Sequence, residues 1–134
     1  MSRSIPLRID EVPQLLIDRL PKRAYQIEQI VEANTTDSGE LLYYPILSQV
    51  LSAVIQDEQR RSFSDRTELG QISELAELAL NIGDDRIAAL FVLEFLEAFA
   101  LGPFTTVPVR DLLGARGKVH YDDILAARSR TAGL

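Results

Sequence analysis

The chain has 134 residues, with 14 Lys and Arg against 20 Asp and Glu, for a formal net charge of −6. It has no Cys and one His, which excludes disulfides, thiolate zinc sites, cysteine nucleophiles and any site needing two imidazoles from one chain. The length supports one domain whose core needs no metal or disulfide staple, and the acidic balance argues against nucleic acid as the main partner.

Met1 to Asp10 carries arginines and Pro6 but no apolar core of the kind a secretory signal needs. The longest apolar run, Ile87 to Leu93, is far too short for a membrane span. The expectation is a cytoplasmic protein with no membrane partner.

The first organised segment is Asp10 to Ala33. Asp10 is a candidate N-cap and Pro13 suits a first turn. Leu15, Leu16 and Leu20 predict a short helix that Pro21 ends. Ala24, Ile27, Ile30 and Val31 predict a second, amphipathic one. Asn34 to Gly39 is a dense run of turn formers and reads as a loop. Leu47, Val50, Leu51, Val54 and Ile55 then mark a strong helix, with Pro45 in its first turn and Tyr43-Tyr44 leading in. One of those rings is expected in the core and the other is free to anchor an interface. Ser62 to Thr67 reads as a connector, with Ser64 or Thr67 capping the next helix.

Leu69, Ile72, Leu75, Ala76, Ala79 and Ile82 form the stripe of that helix, over Glu68 to Ile82. Gly83 is expected to stop it in the left-handed region, and Asp84 or Asp85 to cap its successor. That successor, Arg86 to Leu101, is apolar almost all round except at Glu94 and Glu97. Such a pattern predicts the central, buried helix, with Gly102-Pro103 ending it. Beyond it, Pro108 counts against a central strand at 105–109 and suits a short helix through Leu113. Gly114 and Gly117 bracket a basic turn, and Tyr121 to Ala127 reads as a last short helix. Residues 1–9 and 129–134 are expected to fray. The fold class is all-α: one domain over 1–134, a bundle of five to six helices with a central helical hairpin.

The charge excess is local. Residues 68–97 hold seven acids (Glu68, Glu74, Glu77, Asp84, Asp85, Glu94 and Glu97) and one base, Arg86. The remaining 13 acids and 13 bases cancel. This stretch is either the solvated face of a helix pair or a surface for a basic partner. The pairs Glu74/Glu77 and Glu94/Glu97 each lie on one helix face. Four carboxylates between antiparallel helices suggest a dinuclear metal bundle, but the Glu-x-x-His ligand pairs of such sites are missing, so no metal or other cofactor is expected. His120 stands near Asp122 and Asp123 without a nucleophile or phosphate cradle, and reads as a surface histidine. No hydrolase, P-loop, dinucleotide or zinc-protease motif occurs, and no catalytic residue is assigned. The arginine pair Arg60/Arg61 suits a helix C-terminus.

Leu75 to Leu80, then Gly83-Asp84-Asp85-Arg86-Ile87, Leu90 and the Leu93 to Phe99 block resemble a HEAT-type helical hairpin. A broader resemblance covers about residues 15–125. It rests on Leu20-Pro21, Glu28, Glu40-Leu41-Leu42-Tyr43-Tyr44, Leu47-Ser48, Gly83-Asp84-Asp85, Phe95-Leu96-Glu97 and Leu113-Gly114. In these features the chain is similar to a family of small, acidic, helical bacterial proteins that look like immunity proteins of polymorphic toxin systems. The resemblance implies a non-enzymatic protein that neutralises a cognate toxin domain. The partner is then a protein, a basic toxin domain in this reading, met by Glu74, Glu77, Asp84, Asp85, Glu94 and Glu97. The other reading is a helical adaptor or self-associating scaffold, as monomer or homodimer.

Overall fold

The computed structural model describes residues 5–61 and 65–132, and within them the chain is all-α with no β-strand. The helices are α1 (Val12–Arg19), α2 (Ala24–Ala33), α3 (Tyr43–Arg60), α4 (Thr67–Ile82), α5 (Asp85–Phe91), α6 (Glu97–Ala100) and α7 (Ala115–Ala132). A π-helical turn, Val92–Leu96, joins α5 to α6, so the two form one rod. Single 3-10 turns precede α1 and α2, and a third, Arg110–Leu112, precedes α7. Consecutive helices pack as neighbours from α1 to α5, and α4 also meets α1 and α7.

The apolar spacing accounts for α3 and α4. Ile46, Leu47, Val50, Leu51, Val54 and Ile55 are all buried on α3. Leu69, Ile72, Leu75, Ala76 and Ala79 are buried on α4. Both sets recur at three and four residues, the spacing that keeps one face of a helix inward. Pro45 and Pro21 sit in first turns, where a missing N–H costs nothing. Tyr43 is half-buried against the core and Tyr44 is exposed.

The rod from Asp85 to Ala100 departs from the expectation of a helix buried all round. Ile87, Phe91, Phe95 and Phe99 are buried, spaced four apart. A four-residue step overshoots the 3.6-residue α turn, so such a line drifts round a regular helix. The wider π turn takes up the drift and keeps the three rings on one side. Phe95 meets Phe99 edge-on with centroids 5.1 Å apart, and Phe104 lies 5.7 Å beyond Phe99. The opposite side is open: Leu93 is 47% exposed and Leu101 46%.

Three further expectations are corrected. Gly83 is extended, with φ −83° and ψ 157°, not left-handed. It is needed for space: a Cβ there would lie 2.3 Å from the Ala79 carbonyl oxygen and 2.4 Å from Ile87. Residues 7–9 do not fray. Leu7 is buried, its N–H donates to the Ile82 carbonyl at 2.9 Å, and its carbonyl accepts from Asp84 N–H at 2.8 Å. The basic turn at Gly114–Gly117 is the first turn of α7, which is far longer than the expected 121–127 and runs helically through 129–132. The expected cap Ser64 lies outside the described residues. No helix among them is long and apolar enough to cross a membrane.

The phasing of the rod predicts contrasting costs for truncation. Phe95→Ala should destabilise the fold by about 3–5 kcal/mol, and Leu93→Ala, two positions away, by no more than about 0.5 kcal/mol. Urea unfolding of both variants checks this, and equal costs would contradict the π-turn phasing.

Candidate functional site

The first turn of a helix leaves its N–H groups without partners inside the helix. Here, acids from other elements supply several of them. Asp84 is a local cap: its Oδ1 accepts from Arg86 N–H at 3.1 Å and Ile87 N–H at 3.0 Å. Asp65 accepts from Thr67 N–H at 3.0 Å at the start of α4. Glu58 reaches across from α3, and its Oε2 accepts from Leu69 N–H at 3.0 Å. Glu77 reaches from α4 to α7. Its two oxygens accept from Arg116 and Gly117 N–H, each at 2.8 Å, while Asn81 donates to Oε1 at 3.2 Å.

The six candidate partner-binding acids therefore divide. Glu74 is exposed but bridges Arg19 of α1 at 2.9 Å. Glu77 is half-buried and engaged by α7. The two point to different neighbours, Arg19 of α1 and the start of α7. Among the described residues no group of three or more His, Asp or Glu side chains is placed to hold a metal ion. Asp84 serves its own helix. The carboxylates of Asp85, Glu94 and Glu97 make no hydrogen bond or ion pair among the described residues. Asp85, Ala89, Leu93, Glu97 and Leu101 share the four-residue step of the buried rings, and form the outer ridge of the rod, with half-buried Glu94 beside it. Leu93 and Leu101 flank Glu97 on this ridge. His120 is exposed on α7.

A second constellation had no signal in the sequence. Arg23, in the turn before α2, is only 10% exposed at its side chain. Its Nε and Nη2 donate to the two oxygens of Glu68, each at 2.8 Å, and Nη2 also donates to Asp57 at 2.6 Å. One guanidinium thus ties the turn before α2 to the end of α3 and the start of α4. It forms a wall of a cleft of about 580 Å³, with Arg19, Lys22, Asp57, Arg61 and Gln71 around it. The pairs that meet across it, Arg23 with Asp57 and Arg19 with Gln71, stand 34 and 52 positions apart in the chain, which no local pattern can report. The charges in the cleft largely compensate one another, and it contains neither His nor Cys.

The carboxyl groups titrate in two directions. Arg23 holds Asp57 below the ordinary carboxylate range, Arg66 does so for Asp111, and Arg110 for Asp122. Burial pushes Glu77 up, and the hydrogen bonds from Gly117, Arg116 and Asn81 outweigh it, leaving a lowered value. Glu58 is the opposite case. It is 1% exposed, its Oε1 has no hydrogen-bond partner, and burial pushes it up against the Leu69 hydrogen bond, helped by nearby Glu68 and Asp65. Lowered groups stabilise the fold above their unfolded values, and that contribution is lost as pH falls through the folded values. A raised group stabilises it below the unfolded value, and that contribution is lost as pH rises through the folded value.

No family model, curated protein or solved structure matches this chain.

Two measurements test these ties. Arg23→Met should cost about 1–3 kcal/mol, less than a fully buried pair because Asp57 and Glu68 are partly solvated. Arg23→Lys should recover only part, since an ammonium cannot fork onto a carboxylate. Equal stability of wild type and Arg23→Met would refute the tie. Separately, wild-type stability should decline as pH rises above the ordinary glutamate value of about 4.5, and Glu58→Gln should flatten that decline, because the amide does not titrate. Both proteins should lose stability below about pH 4. An unchanged slope in Glu58→Gln would rule out Glu58 as its source.

Proposed function

We propose that this chain is a non-enzymatic binding protein that neutralises a basic toxin domain, as an immunity protein does. The observation that carries the reading is the outer ridge of the rod. There, the carboxylates of Asp85, Glu94 and Glu97 have no partner among the described residues, beside exposed Leu93 and Leu101. Unpaired acids of one sign steer a basic partner into encounter and select against acidic ones. Two apolar side chains flanking Glu97 offer the desolvated contact that holds a complex once formed. A bundle whose helices are tied to one another is already ordered, so binding loses little conformational freedom. The sequence resemblance to immunity proteins supports the same reading, and cytoplasmic residence fits it.

The acids are not equivalent in this proposal. Asp85, Glu94 and Glu97 are its binding residues. Glu74, Glu77 and Asp84 contribute to the field but have structural partners. Self-association through the exposed leucines is the second reading. A two-fold contact centred on this ridge brings Glu94 and Glu97 toward the same acids of the copy, and like charges oppose that.

The test uses the protein encoded beside this chain as the candidate toxin. Co-expression should restore growth of cells making that toxin. The double charge reversal Asp85→Lys with Glu97→Lys should weaken binding by roughly tenfold or more and flatten its salt dependence, leaving the fold intact. Asp84 is left unchanged, because its substitution removes a helix cap. Absence of growth rescue would refute the immunity reading, and unchanged affinity and salt dependence would refute the ridge. Light scattering at two concentrations separates the scaffold reading, which requires a concentration-dependent dimer.

A further inference from the structure

α7 is long but barely embedded. It has eighteen residues, and Gly117 is the only fully buried one among those whose burial is described. Tyr121 and Ile124 are half-buried against the core. By contrast, α3 buries seven residues and α4 six. Most of a helix's stability in a protein comes from tertiary packing rather than from its own propensity, so the helicity of α7 depends on what fastens it.

Its polar fastening lies toward both ends, with one exposed bridge between them. At the N-terminal end Gly114 precedes the first helical residue and has no side-chain oxygen to cap it. Glu77 supplies two of the missing acceptors and a negative charge where the helix dipole favours one. The seat is built for that carboxylate: a Cβ on Gly114 would fall 2.5 Å from Glu77 Cδ, and one on Gly117 3.3 Å from Glu77 Oε2. Toward the other end Arg128 donates to the Ala100 carbonyl oxygen at 3.1 Å, which closes the end of α6. An exposed bridge, Arg110 to Asp122 at 2.7 Å, completes the set. Immediately before the glycine, Leu113 is buried with the rest of the core. The chain therefore passes from anchored to weakly embedded across one residue, Gly114.

We propose that α7 is a latch: it detaches as a unit by hinging at Gly114 while α1 to α6 stay folded, and the Glu77 carboxylate is the catch that holds it. Detachment uncovers the side of α4 and α6 that α7 covers. This inference is independent of the toxin-binding reading, since Glu77 faces α7 and not the outer ridge.

Amide hydrogen exchange on the full chain, read by mass spectrometry at neutral pH, tests it. In the wild type, peptides from 115–132 should exchange at least roughly a hundredfold faster than those from α3, through an opening that leaves the rest of the core closed. Glu77→Gln should speed exchange in 115–132 by roughly tenfold or more, because one acceptor becomes an NH2 donor facing an N–H and the other loses its charge. It should leave α3 within about twofold of wild type. Equal rates in α7 and α3 would overturn the proposal, since α7 would then open only with the whole domain. A Glu77→Gln variant with unchanged α7 exchange would overturn the role of the catch. If that variant does not fold, the wild-type rates decide the latch and Asn81→Ala decides the catch. Asn81→Ala removes a donor to the carboxylate and should shift α7 exchange in the same direction by a smaller factor. No shift there would count against Glu77.

Discussion

A carboxylate reaching from one helix to the open N–H groups of another is the contact on which the order of this bundle depends. The first turn of α4 is preceded by Arg66 and that of α7 by Gly114, and neither residue places a side-chain acceptor on its own helix. Glu58 and Glu77 perform that role from a distance. Each acid therefore does two things at once. It satisfies donors that would otherwise be stranded, and it sets where one helix begins relative to the side of another. Packing of leucines and phenylalanines supplies most of the driving force, but apolar contact alone lets helices slide. The carboxylates remove that freedom. Glu58 does so at a cost, since it is buried with one oxygen unsatisfied.

This use of acids alters the meaning of the acidic stretch. Residues 68–97 carry the whole formal excess in the sequence, yet much of it points inward or sideways. Glu68 faces Arg23, Glu74 faces Arg19, Glu77 closes α7 and Asp84 closes α5. A charge run along the chain is thus divided into internal ties and a narrow external ridge. Arg23 is the basic counterpart. It stands beside Lys22 in the sequence, but its guanidinium is held by Asp57 and Glu68 and contributes little to any basic surface.

The helices whose stability comes from a repeated apolar stripe were legible in the sequence: α3, α4 and the pair α1 and α2 lie where the spacing and the prolines put them. Asp84 was legible as a cap because its partners are two and three residues away. Features that rest on distant contacts were not. The true start of α7 depends on Glu77, about forty positions earlier, so Gly114-Ala115-Arg116-Gly117 looked like a turn. Gly83 carried the right position for the wrong reason, because the demand on it is space beside Ala79 and Ile87. The π turn did leave a trace, the strict four-residue step of Ile87, Phe91, Phe95 and Phe99. Counted only as hydrophobic residues, the same letters suggested a helix buried on every side. Among the six candidate partner-binding acids, it is the arginines and the α7 backbone that set apart the three whose carboxylates have no partner among the described residues.

The seam between Leu7 and Gly83 has a consequence for the order in which the chain can assemble. Most helix contacts join elements adjacent in the chain, which form early because little chain must be gathered to close them. The corner between α4 and α5 is different. Its carbonyl at Ile82 and its N–H at Asp84 are satisfied by a residue about 75 positions earlier. The α4–α5 turn can therefore form its local cap at once, but its backbone stays wet until the N-terminal segment returns to lie against it. Leu7 is in this sense a closing stitch, since its two hydrogen bonds join the N-terminal segment to a corner far along the chain.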